Sequence, residues 1–550
     1  MSQLLLDLAA RMRDSLQHKS VVTASRWATQ YRVMPTAACP TAKWSFYRHP
    51  WLKEIHDCTS EYMVAKKSAQ MGFSEAALNK CFYTLDILKK NVMYILPNQR
   101  PDATDFTTRA FNPAIEASEY LTSKFTGTNN TGHKTLDSAN LYVRGSNSRS
   151  SLKSVPVSGL IFDEFEEHDR ELTKLAEQRN SGQDYRFDWK ISTPTIGGKC
   201  IDIAYDGSTK EEFYFPCPGC SKYVLLDFNT CVTIPTDDPQ DEKVLETTLH
   251  CPSCKRVLDH REKPDAFAKG LWRADHPGRL TRGFHISQLY STVLPVHKVA
   301  KLYLESLSDP LAEQEFYNSS LGLAHTPGGA KLDDETLGAL IKGFSMQDAA
   351  TTGNVITMGG DVGRVLHVEI TLWDLSKTSV IDINEGARAR VLWAGEVEDF
   401  EKLAAYMVNY NINFCVVDAL PETRMATRFA NQFFGRVRLC RYNSNAISRS
   451  IFAAENDLFV SVNRTSWLDQ SLGRFRNASI FLPNNLPRDY LRHMKAPARV
   501  PKKDKNGNTV YRYEVPDSSQ DHFAHARNYS EIALAFVAGA KIHKDLVNDY

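Results

Sequence analysis

Short apolar runs alternate along this chain with longer stretches whose apolar residues recur at helical spacing. "EYMVAKKS" (61–68) reads as an apolar strand running into polar residues, and "SEAALNKCFYTLDIL" (74–88) as the helix that follows. Further strands are predicted over "NVMYILPNQ" (91–99), "NLYVRGSNS" (140–148), "VSGLIFDEFEEHD" (157–169) and "DWKISTPTIGG" (188–198). After the Gly/Pro-containing "LGLAHTPGGAKLDD" (321–334) the pattern restarts. "VITMGGDVGRVLHVEITLWDL" (355–375) reads as strand, glycine turn, strand, with alternation over 365–373. "NFCVVDALPET" (413–423) is another buried strand, and "DSSQDHFAHARNYSEIALAF" (517–536) opens a helix. The N-terminal "MSQLLLDLAARMRDSLQHK" predicts an amphipathic helix. The succession of strands and helices predicts an α/β chain in two main parts.

The loop between the first strand and helix, "KKSAQMGFS" (66–74), nearly matches the phosphate-binding pattern G-x-x-x-x-G-K-[ST]. Gly72 and Ser74 fit, but Lys67 stands at the first glycine and Phe73 at the lysine. Strand, loop and helix N-terminus together offer backbone N–H groups and a positive dipole end to a phosphate. Ser74 is expected to cap the helix, and Lys66 or Lys67 to reach the β- and γ-phosphates from the near end of the loop, beside Ser68. Alone, this match is weak. "GLIFDEFEEHD" adds a strand ending in two carboxylates, about ninety residues on. Asp163 is expected to hold Mg²⁺, through water or with Ser74, and Glu164 to orient and deprotonate the attacking water. Taken singly, that pair reads as an acidic helix start. Ser192–Thr193, ending the next strand, is a candidate γ-phosphate sensor. Arg144 or Arg149 is a candidate for stabilising transition-state charge, in cis or from a neighbouring subunit, with Arg149 the preferred of the two, although a surface arginine with no such role is the commoner case.

The most specific local signal is a pair of C-P-x-C knuckles, "FPCPGCSKY" (215–223) and "LHCPSCKRVL" (249–258). Cys217, Cys220, Cys251 and Cys254 have the spacing of a tetrahedral Zn²⁺ site. Four thiolates leave no position for water, so the metal is structural. The gap between knuckles is long enough for a hairpin or two. His250 and His260 flank the cluster as bystanders.

In the second part, Asp361 ends one strand, Asp418 ends another, and Asp521, His522 and His525 stand on the last helix. Each carboxylate alone reads as a turn or cap residue. Two strand-borne acids and one helix-borne acid in this order are the RNase H-like design, which binds two Mg²⁺ or Mn²⁺ ions and cuts a phosphodiester. Asp521 and His525 are four apart and can face one site.

Length and charge refine this reading. The chain has 550 residues, enough for two or three domains. The net charge of +1 gives no global field for nucleic acid, so any DNA contact rests on local patches. "PRDYLRHMKAPARVPKKDK" (487–505) is one candidate patch and equally a solvated loop and hairpin. No apolar run is long enough for a membrane helix, and charges interrupt the N-terminal segment too often for a signal peptide. Eleven cysteines, an odd number, fit a reducing compartment with thiols used as ligands or core filler.

An ATPase, a zinc ribbon and an RNase H-like nuclease in this order resemble the large terminase subunit of tailed phages, in its lambda-type branch. The phrases that carry the resemblance are "KKSAQMGFS", "FDEFEEHD", "FPCPGC", "GFHISQLYS" (283–291), "EFYNSSLGLA" (315–324) and "MGGDVG" (358–363), and it spans roughly residues 25–535. "GFHISQLYS" has no chemistry of its own and reads as a core segment in which His285 is a satisfied histidine. The resemblance implies that Lys67, or Lys66, replaces the lysine missing at Phe73. It further implies an ATP-driven motor that packages double-stranded DNA in the host cell cytoplasm and cuts concatemers. Its expected partners are a small terminase subunit and the capsid portal, on which it forms a homo-oligomeric ring. The expected division is a helical segment (1–55), a P-loop ATPase (56–330) with a zinc ribbon at about 211–260, a nuclease (345–540) and a tail (541–550). One departure stands out. Relatives place the third acid four residues before a tyrosine. Relative to Tyr529, His525 holds that place, with Asp521 one turn earlier. Another helicase-nuclease would need a second ATPase lobe, which is not seen after residue 330. A zinc-ribbon DNA scaffold with dead enzyme folds would not be expected to keep the Asp163–Glu164 and Asp361/Asp418 pairs.

Overall fold

The computed structural model describes residues 22–35, 39, 41–152, 155–346, 355–376, 386–443, 449–454, 458–503, 509–537 and 542–543. The predicted N-terminal amphipathic helix and almost all of the tail lie outside the described residues. The chain forms two compact units, divided between His325 and Thr326.

The first unit is built on β1 (Tyr62–Lys67), β2 (Val92–Leu96), β3 (His133–Leu136), β4 (Ala139–Gly145), β5 (Gly159–Asp163), β6 (Phe187–Ser192), β7 (Glu211–Pro216), β8 (Tyr223–Val224), β9 (Val232–Thr233), β10 (Thr248–Leu249), β11 (Leu271–Ala274) and β12 (Thr281–Ile286). One sheet runs β11-β7-β12-β1-β6-β5-β2-β4-β3, with β8 on β7, and β9 and β10 form a separate pair. From β7 to β4 all neighbours are parallel. Such strands are covered on both faces, which is why β2 and β5 are apolar without alternation. Side chains still divide by a period of two. Met93, Ile95, Leu160 and Phe162 enter one core cluster, while Val92, Tyr94, Leu96 and Ile161 enter another.

The second unit contains β13 (Val355–Val362), β14 (Leu366–Asp374), β15 (Arg388–Val397), β16 (Phe414–Asp418), β17 (Val437–Tyr442), β18 (Ile451–Ala454), β19 (Phe459–Val462), β20 (Ile480–Phe481), β21 (Ala498–Lys503), β22 (Thr509–Glu514) and β23 (Ile542–His543). Its main sheet runs β20-β15-β14-β13-β16-β17-β19-β18-β23. β13, β14 and β15 are antiparallel, whereas β16 joins the other side of β13 in parallel. The described part of the basic stretch forms the helix Tyr490–Lys495 and β21, the first strand of the β21–β22 hairpin.

The helix His522–Val537 lies directly on β13. A Cβ at Gly359 would stand 2.0 Å from the Ala526 carbonyl oxygen and 2.2 Å from the Ser530 nitrogen, so only glycine fits there. The alternation expected over 365–373 exists in sequence, but its polar half does not face water. Glu369 and Thr371 are fully buried under that helix. Arg527 bonds Glu369 at 2.8 Å, Thr371 at 2.9 Å and Glu531 at 2.6 Å, and Tyr490 donates to Glu369 at 2.7 Å. Arg474 closes the network on Glu531 at 2.7 Å. Removing Arg527 would leave the Glu369 carboxylate buried without a cationic partner, at a cost of about 3–5 kcal/mol.

Candidate functional site

β1 ends at Lys67, and the loop to the helix Phe73–Asp86 turns through two left-handed residues, Gln70 (φ 60°) and Gly72 (φ 83°). Two loop carbonyls are held by donors, Ala69 by Gln288 at 3.2 Å and Met71 by the Trp51 indole at 3.1 Å. The Ser68 and Ala69 N–H groups donate to Ile286 and Ser319. The N–H groups of Gln70, Met71 and Gly72 meet no acceptor among the described residues. A loop with tied carbonyls and free N–H groups at a helix N-terminus is an anion cradle. "GFHISQLYS" and "EFYNSSLGLA" thereby acquire a role. The first supplies Ile286 and Gln288 against the loop. The second supplies Ser319, and also Gly322, whose added Cβ would stand 2.7 Å from the Ser68 nitrogen. His285 is satisfied, by Glu212 at 2.9 Å and the Leu321 carbonyl at 3.0 Å. The expected cap does not form. Gly72 is the N-cap and Ser74 sits inside the first turn, because the left-handed turn starts the helix one residue earlier.

The two lysines point to opposite faces of the strand. Lys66 pairs with Asp202 at 3.1 Å and lies over the Tyr205 ring. Lys67 donates to Thr193 Oγ1 at 3.3 Å, on the next strand end. Ser192 is buried and spent on the backbone, accepting from the Glu166 N–H at 3.1 Å. Across β6, Asp163 accepts from the Tyr94 hydroxyl and from the Glu164 N–H. Glu164 itself is held at φ 55°. A left-handed non-glycine residue of this kind costs about 1–3 kcal/mol and collects at functional positions. Its carboxylate opens to solvent but is crowded by protein on its flanks. Desolvation raises its pKa, Lys67 opposes that, and Asp163 and Glu167 add to it. Sequence reasoning missed Glu166, a buried carboxylate that accepts from Thr195 and from the Ile201 N–H and so fixes the loop after β6. Arg144 is spent on the carbonyls of Gly132 and Val143. Arg149 is exposed on the loop after β4, paired with Glu171 at 3.2 Å.

The four cysteines converge. Sγ–Sγ separations are 3.8 Å for Cys217–Cys254 and 4.0 Å for Cys220–Cys251, and all four sulfurs lie within 4.8 Å of one another. Zn–S bonds of about 2.3 Å place tetrahedral sulfurs ~3.8 Å apart, so the donor set fits zinc. N–H groups of Gly219 and Ser253 point at Cys217 and Cys251 in the manner of metal knuckles. The β9–β10 pair occupies the gap between them. Neither His250 nor His260 belongs to the group.

In the second unit, Gly360 pairs with Val417 across parallel β13 and β16, so Asp361 and Asp418 occupy the next rung, side by side at the strand ends. Burial first, and the charge of Asp361 second, push Asp418 up to about 6. Asp521 stands just ahead of the last helix rather than on it. Its carboxylate lies 3.0 Å from His525 Nε2 and 3.4 Å from Arg464. Burial pushes it upward, but His525 and Arg464 outweigh this and hold it at about 2. His525 Nδ1 is 2.9 Å from the Tyr442 hydroxyl. The nearest partner of Asp361 is His522, at 2.9 Å, with His367 stacked on it at 4.5 Å. Sequence reading missed His367. Its signal was hairpin register, since β14 pairs His367 with Asp361.

Two family models match the chain. "Phage terminase large subunit gpA, ATPase domain" covers residues 38–272, and "Terminase large subunit gpA, endonuclease domain" covers 281–439. The second match includes Asp361 and Asp418 but stops before Asp521. The chain matches no curated protein sequence. Among solved structures, the large terminase of bacteriophage HK97 is similar at a TM-score of 0.52 and 10% identity, over 93% of this chain and 99% of that one. This likeness speaks to the fold alone. A large terminase from a thermophilic bacteriophage aligns at a TM-score of 0.30 and 10% identity, over 86% of this chain and 94% of that one, and carries no argument. No helix among the described residues is long and apolar enough to cross a membrane.

Proposed function

Because the chain belongs to the lambda-type phage terminase large subunits, which package DNA with an ATPase and cut it with an endonuclease, we propose a specific division of labour among its residues. The first unit is read as a P-loop ATPase with an inserted zinc ribbon, and the second as an RNase H-like nuclease. The observation that carries this reading is the gathering of Lys67, Asp163 and Glu164 at one sheet edge and of Asp361 and Asp418 at another.

In the ATPase, the free N–H groups of Gln70–Gly72 and the Lys67 ammonium receive the phosphates, with Ser68 in the loop beside them. Lys66, committed to Asp202, supports the strand. Asp163 and Ser74 hold Mg²⁺, and Glu164 takes the proton of the attacking water. Thr193, in contact with Lys67, reports on the γ-phosphate, with Ser192 bracing its strand end. Arg149 is the freer of the two arginines for transition-state charge. Cys217, Cys220, Cys251 and Cys254 hold structural Zn²⁺. In the nuclease, Asp361 and Asp418 hold divalent ions that supply charge neutralisation to the scissile phosphodiester. Asp521 or His525 completes the set. The partners are double-stranded DNA, a small terminase subunit and a capsid portal carrying a ring of these chains, in the host cytoplasm. ATP turnover and Mn²⁺-dependent plasmid cleavage by the purified chain test the reading. Loss of cleavage alone in Asp418→Asn, and of turnover alone in Glu164→Gln, is expected. Wild-type behaviour of both variants would overturn it.

A further inference from the structure

Asp361 is surrounded by imidazoles rather than by further carboxylates. His522 Nδ1 lies 2.9 Å from its Oδ2. His367, its cross-strand neighbour, stacks on His522 with the ring planes 20° apart. One ligand atom from each of Asp361, His367 and His522 falls within a sphere of 4.8 Å. His493 packs against both rings, at 5.6 Å and 5.7 Å, and is 1% exposed. Neither nitrogen of His493, nor Nδ1 of His367, has a hydrogen-bond partner among the described residues. Each such buried polar atom costs about 1–3 kcal/mol, so the imidazoles of His367 and His493 are an expensive way to fill space beside a carboxylate. Aliphatic side chains would pack there without that cost.

We propose that Asp361, His367 and His522 form a mixed carboxylate–imidazole site selective for first-row transition cations of the Mn²⁺ or Co²⁺ kind over Mg²⁺. Mg²⁺ demands oxygen ligands, whereas imidazole nitrogen suits the transition metals. The chain supplies one oxygen and two nitrogens from three elements, β13, β14 and the last helix. The register of the β13–β14 hairpin and the first turn of that helix set their spacing. His493 packs against both rings and limits their tilt. The inference rests on the reading of Asp361 as a nuclease residue and adds to it the chemistry of one ion position.

The test is Mn²⁺ binding by electron paramagnetic resonance to the full chain with its zinc in place, with Mg²⁺ as competitor. Nitrogen coupling to the bound Mn²⁺ is expected in the spin-echo spectrum. His367→Asn and His522→Gln should each weaken Mn²⁺ by about 10-fold or more, and the double variant should lose the nitrogen coupling. Mg²⁺ affinity should change by less than about threefold, because oxygen ligands dominate it. Retained Mg²⁺ affinity and an unchanged thermal unfolding transition of the second unit report that each variant is folded. Bound Mn²⁺ without nitrogen coupling in the wild type, or unchanged Mn²⁺ affinity in both single variants, would overturn the proposal. Cleavage by Asp418→Asn at the wild-type rate would overturn the nuclease reading separately, whatever the spectrum shows.

Discussion

The two sites of this chain sit at equivalent places, the C-terminal edge of parallel strands, yet they are made of different material. In the first unit the anion cradle is largely backbone. Gln70–Gly72 contribute N–H groups, donors from Trp51 and Gln288 hold the carbonyls back, and one lysine projects from the strand. In the second unit the site is all side chain. Asp361 and Asp418 stand on neighbouring strands, faced by His522, His525 and the Arg464–Asp521 pair. A backbone site tolerates odd residues in its motif, because Phe73 can hold the lysine position while its N–H group stays where the turn puts it. A side-chain site has no such slack, since a changed residue is a changed ligand. Substitutions should therefore act sharply in the second unit and unevenly in the first.

The largest effect is expected from Asp361→Asn. The shape stays and the charge goes, so cation occupancy collapses and cleavage should fall on the order of a thousandfold, with ATP turnover unchanged. Glu164→Gln should do the converse, cutting turnover by about 10²–10⁴-fold and sparing cleavage. Either variant abolishing both activities would break the picture of two separable sites. Lys67→Ala should lower turnover at least about a hundredfold. Lys66→Ala should cost a few-fold at most, because its ammonium is already paired with Asp202 on the opposite face. The reverse ranking would move the phosphate contact to Lys66.

Zinc tests a third region. The purified chain should hold about one Zn²⁺, and its removal should unfold residues near 211–260 locally, because binding energy there is folding energy. Cys251→Ser should behave like chelation. Less than about a tenth of an equivalent by elemental analysis, in protein never exposed to chelator, would refute the four-cysteine site.

The contrast between the units also explains what the sequence could tell. Strand ends bearing chemistry were legible wherever an apolar run stopped at a polar residue, as at Lys67, Asp163, Asp361 and Asp418. So were the cysteine knuckles, whose spacing is local. Four things were not. Lys66 and Lys67 look alike in sequence, and only the strand's alternation separates them. The alternation of β14 was legible but not the surroundings of its polar half, since Glu369 and Thr371 are buried by partners more than 150 residues away, Arg527 and Ser530. His367 becomes a neighbour of Asp361 only through hairpin register, which a one-residue slip would undo. Asp521 was read onto the last helix, which starts one residue later at His522, yet the four-residue spacing still brings its carboxylate to His525 at 3.0 Å, with Arg464 at 3.4 Å.

That pairing makes the third nuclease position the next test, with an effect of about 10–100-fold. If Asp521 is a ligand, Asp521→Asn should approach Asp361→Asn in severity and His525→Ala should be milder. If His525 is the ligand, the order reverses. Equal, small effects of both would leave Asp361 and Asp418 to work with His522 and would favour the imidazole-built position.

The smallest expected effect is on pH, and it follows from Asp418. Burial and the neighbouring Asp361 raise its pKa to about 6, so its proton competes with a cation below that pH. One competing proton lowers apparent cation affinity about tenfold per unit of acid below pH 6 and has no effect well above it. Mn²⁺ titrations between pH 5 and 8 should show that bend, and Asp418→Asn should remove its own share of the slope. Stability of the metal-free second unit carries the opposite sign. A carboxyl whose folded pKa is raised favours folding while protonated, so its contribution is present at low pH and lost as pH rises through about 6. Asp521, held at about 2, contributes stability above its unfolded pKa near 4, which is lost as pH falls toward 2. From these two groups, the metal-free unit should be most stable near pH 4, where cation binding is already weakened. A bend in cation affinity without the matching decline in metal-free stability between pH 4 and 6 would assign the titration to a group other than Asp418.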